Sequence, residues 1–262
     1  MNKISRIKLY YNYNDKSTLV YNELKKLLLD NGFIIDDKNY DLAIAIGGDG
    51  GFLRLVSSCE YNSDVYYVGV NTGTLGFSND ISADRLEEFV NDLKSLNFKV
   101  VNTSIVETKV YHDEKVDTYY SLNETVIRER DLQTFRCDVF VDNVNLEKFI
   151  GDGFLVCSSF GSTAYNLSLG GSILYDGVKA MILTPIAPIN NKCYRSLINS
   201  IVVPGDKTIK IVPNNDVILS IDGVNITYNK GCSAEFRINK NIKLLRYNDY
   251  DYTKKINEKF SN

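Results

Sequence analysis

Histidine is almost absent from this 262-residue chain, and the only one, His112, stands in a polar stretch that predicts a surface loop. A Ser-His-Asp or Cys-His mechanism would have to use this single residue. We therefore expect any catalytic chemistry in this protein to depend on carboxylates.

Paired cysteines are lacking as well. The five cysteines are odd in number and far apart, and none forms a Cys-x-x-Cys pair. Neither a disulfide framework nor a zinc site is indicated. We expect free, mostly buried thiols in a reducing cytosol.

Long apolar runs and a basic excess are also missing. No apolar run approaches about 18 residues, which argues against a transmembrane span, and residues 1–10 lack the apolar core of a signal peptide. The net charge of −3 is opposite in sign to the excess that nucleic-acid-binding domains usually carry. We expect a cytoplasmic protein with no nucleic acid and no membrane as partner.

Strand and helix patterns alternate through the first hundred residues. Residues 17–30 carry an apolar helical stripe that stops at Gly32, and the apolar runs 42–46 and 65–70 suit buried parallel strands. This alternation predicts an α/β N-terminal domain over residues 1–100 with a parallel, doubly wound sheet.

Short alternating segments dominate beyond residue 100. Turn residues such as Asp142-Asn143 and Asp222-Gly223 separate them. The pattern predicts a mainly antiparallel, β-rich C-terminal domain over residues 101–240, followed by a segment over 241–262.

The first segment with chemical character is Gly47-Gly48-Asp49-Gly50-Gly51, directly after the apolar run 42–46. Glycines let a backbone approach a phosphate closely, and a helix opening at Phe52 would add its N-terminal dipole. The spacing matches neither a Rossmann fingerprint nor a Walker loop. A carboxylate among these glycines needs a reason, such as accepting a proton or holding a metal. A tight turn capped by Asp49 is the alternative.

Two later segments offer polar groups for a nucleotide. Asn71 to Phe77 is a second glycine-rich loop after a strand. Asn123-Glu124 places an amide beside a carboxylate, a pair that can read an adenine edge and ribose hydroxyls. Each is weak evidence alone, since such loops are often only turns.

Small hydroxyl residues and glycines follow in the C-terminal half. Asp152 stands between two glycines, and residues 161–171 read Gly-Ser-Thr-Ala-Tyr-Asn-Leu-Ser-Leu-Gly-Gly. This run suits a helix start that contacts a flat ring and sugar hydroxyls. Ser162 or Thr163 could cap that helix.

In this order and spacing, the segments resemble the NAD kinase family. Further matches are Leu183-Thr184-Pro185-Ile186-Ala187-Pro188 and Ile221-Asp222-Gly223, so the resemblance covers residues 41–223. It implies phosphoryl transfer from ATP, with Mg²⁺ or another divalent cation, to the 2′-hydroxyl of the adenosine ribose of NAD. It also implies that segment 241–262 packs back on the first domain, and that the protein is a homodimer or homotetramer.

The resemblance implies a role for each matching residue. Asp49 would be the general base, and Gly50 would lie near the phosphates. Asn123 would read the adenine, with Glu124 nearby organising metal or phosphate, and Asp152 would hold the nicotinamide end. No direct metal ligand is assigned. The other binding residues would line the adenine, its ribose or the nicotinamide pocket: Thr163, Ala164, Tyr165, Asn166, Ser168 and Ala187.

Several positions depart from the family pattern. Gly51 stands where a threonine is usual, and Ser158-Ser159-Phe160 replaces a proline-containing loop. Ile150 replaces an arginine, which leaves Lys148 as the nearest cation and a candidate binding residue. Two alternatives follow: a non-catalytic NADP(H)-binding regulator with a degraded ATP site, or a lipid kinase of the same distant superfamily.

Overall fold

The computed structural model describes residues 3–73 and 76–260. The chain divides into two compact units. Unit 1 is built from Met1–Thr103 and Ile242–Asn262, and unit 2 from Ser104–Asn241.

The described residues form five α-helices and seventeen strands, joined by loops and one 3₁₀ turn. The helices are α1 Asp15–Asp30, α2 Asp49–Ser58, α3 Leu86–Ser95, α4 Tyr165–Ser168 and α5 Tyr252–Phe260. The strands up to the middle of the chain are β1 Arg6–Tyr11, β2 Ile34–Ile35, β3 Leu42–Gly47, β4 Tyr66–Asn71, β5 Ile81–Ser82, β6 Phe98–His112, β7 Lys115–Ser121, β8 Glu124–Glu129 and β9 Phe135–Val141. The later strands are β10 Val144–Gly151, β11 Gly153–Cys157, β12 Ala180–Ile186, β13 Ile201–Pro204, β14 Ile209–Pro213, β15 Val217–Ile221, β16 Val224–Tyr228 and β17 Ser233–Tyr247.

Unit 1 has a parallel sheet in the order β2-β1-β3-β4. Short β5 and the last part of β17 also pair with β4 in parallel. Every residue of β3 is buried, as the apolar run predicts for a central parallel strand. The predicted α/β class with a parallel sheet is confirmed.

Helix α2 begins three residues earlier than Phe52, the start that the sequence suggests. Glycine costs about 1 kcal/mol relative to alanine inside a helix, so Gly50 and Gly51 hide this turn from a propensity argument. Gly48 is the N-cap, and Asp49 at the first helical position suits the positive end of the helix dipole.

Unit 2 is β-rich and mainly antiparallel, as predicted. One sheet has the order β13-β12-β11-β8-β15-β16. Strands β10, β9, β14 and the first part of β17 form a second antiparallel set, and β6 and β7 form a hairpin. Apolar side chains from both sets form one core that includes Ile127, Phe135, Phe149, Phe154 and Phe236.

Helix α4 has a different start from the one the sequence suggests. A 3₁₀ turn covers Phe160–Thr163, the N-cap of α4 is Ala164, and no side chain caps it. The Ser162 hydroxyl instead donates to the carbonyl of Ser159 (2.7 Å) and accepts from the amide of Leu174 (3.1 Å). The expected cap by Ser162 or Thr163 is therefore wrong.

Two observations bear on the expected setting of the protein. The five cysteines are free, and all but Cys193 are buried. In the part of the chain that the structure describes, no helix is both long and apolar enough to cross a membrane.

Candidate functional site

The Asp49 carboxylate is held by two backbone amides of unit 1. The N–H of Phe77 donates to one oxygen (3.1 Å) and the N–H of Ser78 donates to the other (3.0 Å). A carboxylate oxygen has two lone pairs, so each keeps one that can accept a further proton. The arrangement fixes the carboxylate beyond the carboxyl end of β3, the side where open parallel sheets bind ligands.

The loop after β4 passes very close to Asp49. A Cβ placed on Gly76 would lie only 2.2 Å from a carboxylate oxygen of Asp49, so this position needs glycine. Part of the loop predicted over Asn71 to Phe77, namely Thr74 and Leu75, lies outside the described residues. Of the described part, Asn71 accepts a hydrogen bond from the N–H of Gly73 (2.9 Å).

A buried ion cluster supports the same loop in unit 1. The guanidinium of Arg246, at the end of β17, pairs with the carboxylate of Asp80, and the ammonium of Lys255 in α5 pairs with the other Asp80 oxygen. The arginine also donates to the carbonyls of Phe77 and Ser78. Burial lowers the pKa of Lys255, while the charge of Asp80 and, to a smaller extent, that of Asp49 oppose this.

In unit 2 the turn between β7 and β8 is held by Asp222. Its carboxylate accepts the N–H groups of Leu122 (2.7 Å), Asn123 (2.9 Å) and Glu124 (3.1 Å). A Cβ on Gly161 would lie 2.0 Å from the carbonyl oxygen of Asn123, so the 3₁₀ turn packs directly against this backbone. The predicted Asn123-Glu124 pair is thereby fixed beside the predicted segment 161–171.

Glu124 has an altered acidity. Burial raises the pKa of its carboxyl to about 7, the nearby Asp222 charge adds to the rise, and a hydrogen bond from the N–H of Tyr165 opposes it. One Glu124 oxygen is buried with no hydrogen-bond partner among the described residues. Such a group changes its charge near neutral pH.

Tyr165 stands at a cavity of about 460 Å³ within unit 2, whose lining includes Glu124, Arg128 and Ser220. Tyr165 is 37 % exposed. The Arg128 guanidinium lies over this ring and hydrogen-bonds its hydroxyl. The exposed ring offers a face for stacking a nucleobase.

Asn166 differs from its predicted neighbours because its side chain is fully buried. Its amide nitrogen donates to the carbonyls of Ser162 (2.9 Å) and Ser172 (3.0 Å), and its oxygen accepts the Thr184 hydroxyl (2.6 Å). These bonds tie three segments of unit 2 together, which favours a structural role for this side chain.

Asp152 and Ala187 lie together. Asp152 is exposed between β10 and β11, and its N–H donates to the carbonyl of Ile186 (2.9 Å). Ala187 follows at once, exposed and with a positive φ of 45°, a conformation that non-glycine residues rarely adopt. Strain of this kind clusters at functional sites.

The remaining predicted residues are less constrained. Thr163 and Ala164 are partly exposed, while Ser168 and Lys148 are exposed, Lys148 on β10. Gly50 is exposed in the first turn of α2. His112, expected in a loop, is the last residue of β6, and its Nε2 lies 2.8 Å from a carboxylate oxygen of Asp117.

A resident metal site is not built into the described residues. Across residues 3–73 and 76–260, no group of three or more His, Cys, Asp or Glu side chains is arranged to hold an ion.

Sequence reasoning missed two residues that the structure brings to these sites. The sequence shows Asp222 as a turn residue and as part of a matching segment but assigns it no role, and Arg246 belongs to no motif. Each acts on backbone about 100 or more positions away. For Asp222, the sequence feature that could have indicated a role was its position in the matching Ile221-Asp222-Gly223 segment.

Family models match most of the chain. The ATP-NAD kinase N-terminal domain matches residues 11–98, and the ATP-NAD kinase C-terminal domain matches residues 122–240. The NAD kinase of Finegoldia magna is 39 % identical over 240 residues, covering 87 % of this chain and 88 % of the relative. The NAD kinase of Streptococcus gordonii is 36 % identical over 241 residues, covering 90 % and 88 %.

Two solved structures share the fold. The yeast NADH kinase complexed with NADH superposes with a TM-score of 0.89 at 18 % identity, over 100 % of this chain and 88 % of that one. An NAD kinase from Archaeoglobus fulgidus in complex with ATP gives 0.75 at 19 % identity, over 98 % and 97 %. At these identities the likeness shows the fold alone.

Proposed function

Because this chain belongs to the ATP-NAD kinase family, we propose that it transfers the γ-phosphoryl group of Mg-ATP to the 2′-hydroxyl of the adenosine ribose of NAD, giving NADP and ADP. The observation that carries the proposal is the Asp49 carboxylate at the start of α2, which is held by the amides of Phe77 and Ser78. A fixed carboxylate with free lone pairs suits a proton acceptor.

The step balances with Asp49 as the base. The ribose 2′-oxygen forms a bond to the γ-phosphorus, the bond from that phosphorus to the β–γ bridging oxygen breaks, and the hydroxyl proton passes to Asp49. The proton then leaves to solvent. Aspartate has a reference pKa of about 3.9 and is a weak base. A loose transition state asks for little deprotonation until late, so positioning matters more than basicity.

Magnesium belongs to the substrate in this proposal. The cation prefers oxygen ligands, keeps several waters and is commonly held through substrate phosphates. Gly50 is proposed to lie near the phosphates.

The NAD-binding roles fall to unit 2. Asn123 is proposed to read the adenine edge, and Tyr165 to stack on the adenine, with Glu124 nearby organising metal or phosphate. Thr163, Ala164 and Ser168 are proposed to line the adenosine. Asp152 and Ala187, which lie together, are proposed to hold the nicotinamide end, and Lys148 to supply a nearby positive charge. The protein is proposed to act in the cytoplasm as a homodimer or homotetramer.

The test is NADP formation from NAD and Mg-ATP, read through an NADP-specific dehydrogenase. Asp49→Asn is expected to lower kcat at least ~100-fold, the usual scale for loss of a general base, while NAD binding by calorimetry stays within a few-fold. Asp15→Asn is the matched control, because Asp15 is likewise the first residue of a helix. It is expected to turn over like the wild type.

Other results would redirect the proposal. Near-normal turnover in Asp49→Asn would remove the base assignment. A wild-type protein that binds NADP without forming it would favour a non-catalytic regulator. Gly51, which stands where a threonine is usual, would then be the first position to examine. A Cβ there would lie 2.8 Å from the Asn12 side chain, so a larger residue would require that side chain to move.

A further inference from the structure

We propose that Arg246 is a positioning residue for Asp49: it holds the backbone of Phe77 and Ser78, whose amides hold the carboxylate. This inference rests on the proposed function, in which Asp49 is the base. It adds a residue near the end of the chain to a site assembled around residues 49–78.

Asp49 and Arg246 share one peptide group of unit 1 as a hydrogen-bond partner. The C=O of Phe77 and the N–H of Ser78 belong to the same planar unit. The N–H donates to Asp49 (3.0 Å), and the C=O accepts from Nη2 of Arg246 (3.5 Å). A second guanidinium nitrogen, Nη1, donates to the carbonyl of Ser78 (3.4 Å). Arg246 therefore holds this backbone on the side opposite to Asp49.

The guanidinium is itself fixed. Arg246 is 3 % exposed, and its Nη1 pairs with the Asp80 carboxylate. Asp80 also pairs with Lys255, which is 6 % exposed. A buried arginine with a charged partner has few alternative positions, because moving it would leave Asp80 without its guanidinium.

The charges also couple the cluster to Asp49. Arg246 and Lys255 both pair with the single carboxylate of Asp80, and an uncompensated buried charge is costly. The Asp49 charge helps to keep Lys255 ionised. Burial lowers the pKa of Lys255 and the Arg246 charge lowers it further, while the Asp80 and Asp49 charges act against that loss.

Arginine suits this task better than lysine. Its planar fork can reach two consecutive carbonyls and a carboxylate at once, whereas an ammonium is a compact point charge on a flexible stem. Arg246→Lys keeps the charge and loses the fork. Arg246→Met loses both, but it leaves Asp80 and Lys255 as a neutral pair, so the variant can fold.

The experiment measures kcat and KM for NAD at saturating Mg-ATP, with the concentration of binding-competent protein taken from NAD calorimetry. Arg246→Met is expected to lower kcat by at least ~30-fold with KM within about 3-fold, since only the transition state depends on the placed base. Arg246→Lys is expected to restore part of the loss. Lys254→Met, an exposed neighbour in α5, is the control and is expected to match the wild type.

Each alternative outcome is decisive. Wild-type kcat per binding-competent molecule in both arginine variants would overturn the inference, as would a raised KM with unchanged kcat. If Arg246→Met fails to fold, Arg246→Lys decides by the same measure. An inactive wild-type protein would instead show that the proposed function has failed.

Discussion

Glu124 combines two effects on one side chain. Burial and the Asp222 charge raise the pKa of its carboxyl to about 7, well above the value near 4.3 expected in an unfolded chain. The folded protein therefore binds more protons than the unfolded chain between about pH 4.5 and pH 7. The stability that this group contributes is present at the acid end of that window and is lost as the pH rises through 7.

Glu124→Gln should remove this pH dependence, because glutamine imitates the protonated carboxyl at every pH. Relative to the wild type, the variant is expected to gain about 1–3 kcal/mol of unfolding free energy between pH 5 and pH 8. Urea unfolding at the two pH values measures the difference. Glu23→Gln, on the exposed face of α1, is the control. A gap that does not widen with pH would contradict the raised pKa.

Local motifs identified the residues of the candidate sites better than they identified the distant side chains that hold those residues in place. The glycines around Asp49 and the strand before them are visible in the sequence because they adjoin one another. The acceptor of the Asn123 and Glu124 amides is Asp222, about 100 positions away, and no spacing rule connects them. Hydrogen bonds to backbone from distant side chains leave no periodic trace.

The buried Asn166 side chain links three segments of unit 2 by hydrogen bonds to Ser162, Ser172 and Thr184. Replacing it by alanine leaves the Thr184 hydroxyl and two carbonyls without their buried partner. Asn166→Ala is expected to lower the free energy of unfolding by about 2–4 kcal/mol, since unpaired buried polar groups cost 1–3 kcal/mol each and partly relax. Chemical denaturation followed by circular dichroism measures it.

The matched control for that loss is Asn145→Ala, on the exposed part of β10. Surface substitutions of this kind usually change stability by no more than about 0.5 kcal/mol. A small loss in both variants would mean that the three segments hold together without the buried amide. If a folded Asn166→Ala protein keeps its activity, the Asn166 side chain contributes to stability and not to ligand contact.

Element boundaries followed from the sequence where apolar patterning was strong. The strand run 42–46 is observed as β3, while the glycines of α2 concealed its first turn. Segment 161–171 has hydroxyl side chains at neighbouring positions, so the sequence alone could not distinguish a helix cap from a 3₁₀ turn held by Ser162. Tertiary hydrogen bonds decided that choice.

Unit 2 exposes apolar side chains near the edge strand β13. Ile189, Tyr194, Leu197, Ile198 and Val202 are each at least 38 % exposed. Exposed apolar groups beside an unpaired edge commonly mark a protein–protein contact. This surface is a candidate for the contact between copies in the proposed homo-oligomer.

Ile198→Glu is expected to lower the mass measured by sedimentation, because a buried unpaired carboxylate opposes association. The wild type is expected at a multiple of the 29.6 kDa chain. Val144→Glu, also at an exposed apolar position but at the β9–β10 hairpin, should leave the mass unchanged. A wild-type monomer would contradict the proposed oligomer.

At the scale of the whole molecule, the fold class and the family were both predictable. Alternating strand and helix patterns before residue 100 specify an α/β domain, and the short strands after it specify a mainly antiparallel β domain. The order of the motifs specified the family. The ion cluster of Asp80, Arg246 and Lys255 was not predictable, because it joins charged residues that belong to no motif and lie far apart in the chain.

The two-segment construction of unit 1 has a consequence for synthesis on the ribosome. Arg246 is made 166 residues after its partner Asp80, a delay of roughly 8–30 s at about 5–20 residues per second. Residues 104–241 are contiguous, and the last of them is made just before Arg246, so both units become complete at nearly the same time. The nascent first segment must wait, and the clamp on Asp49 is completed only when the late residues arrive, so kinase activity would be acquired late in translation.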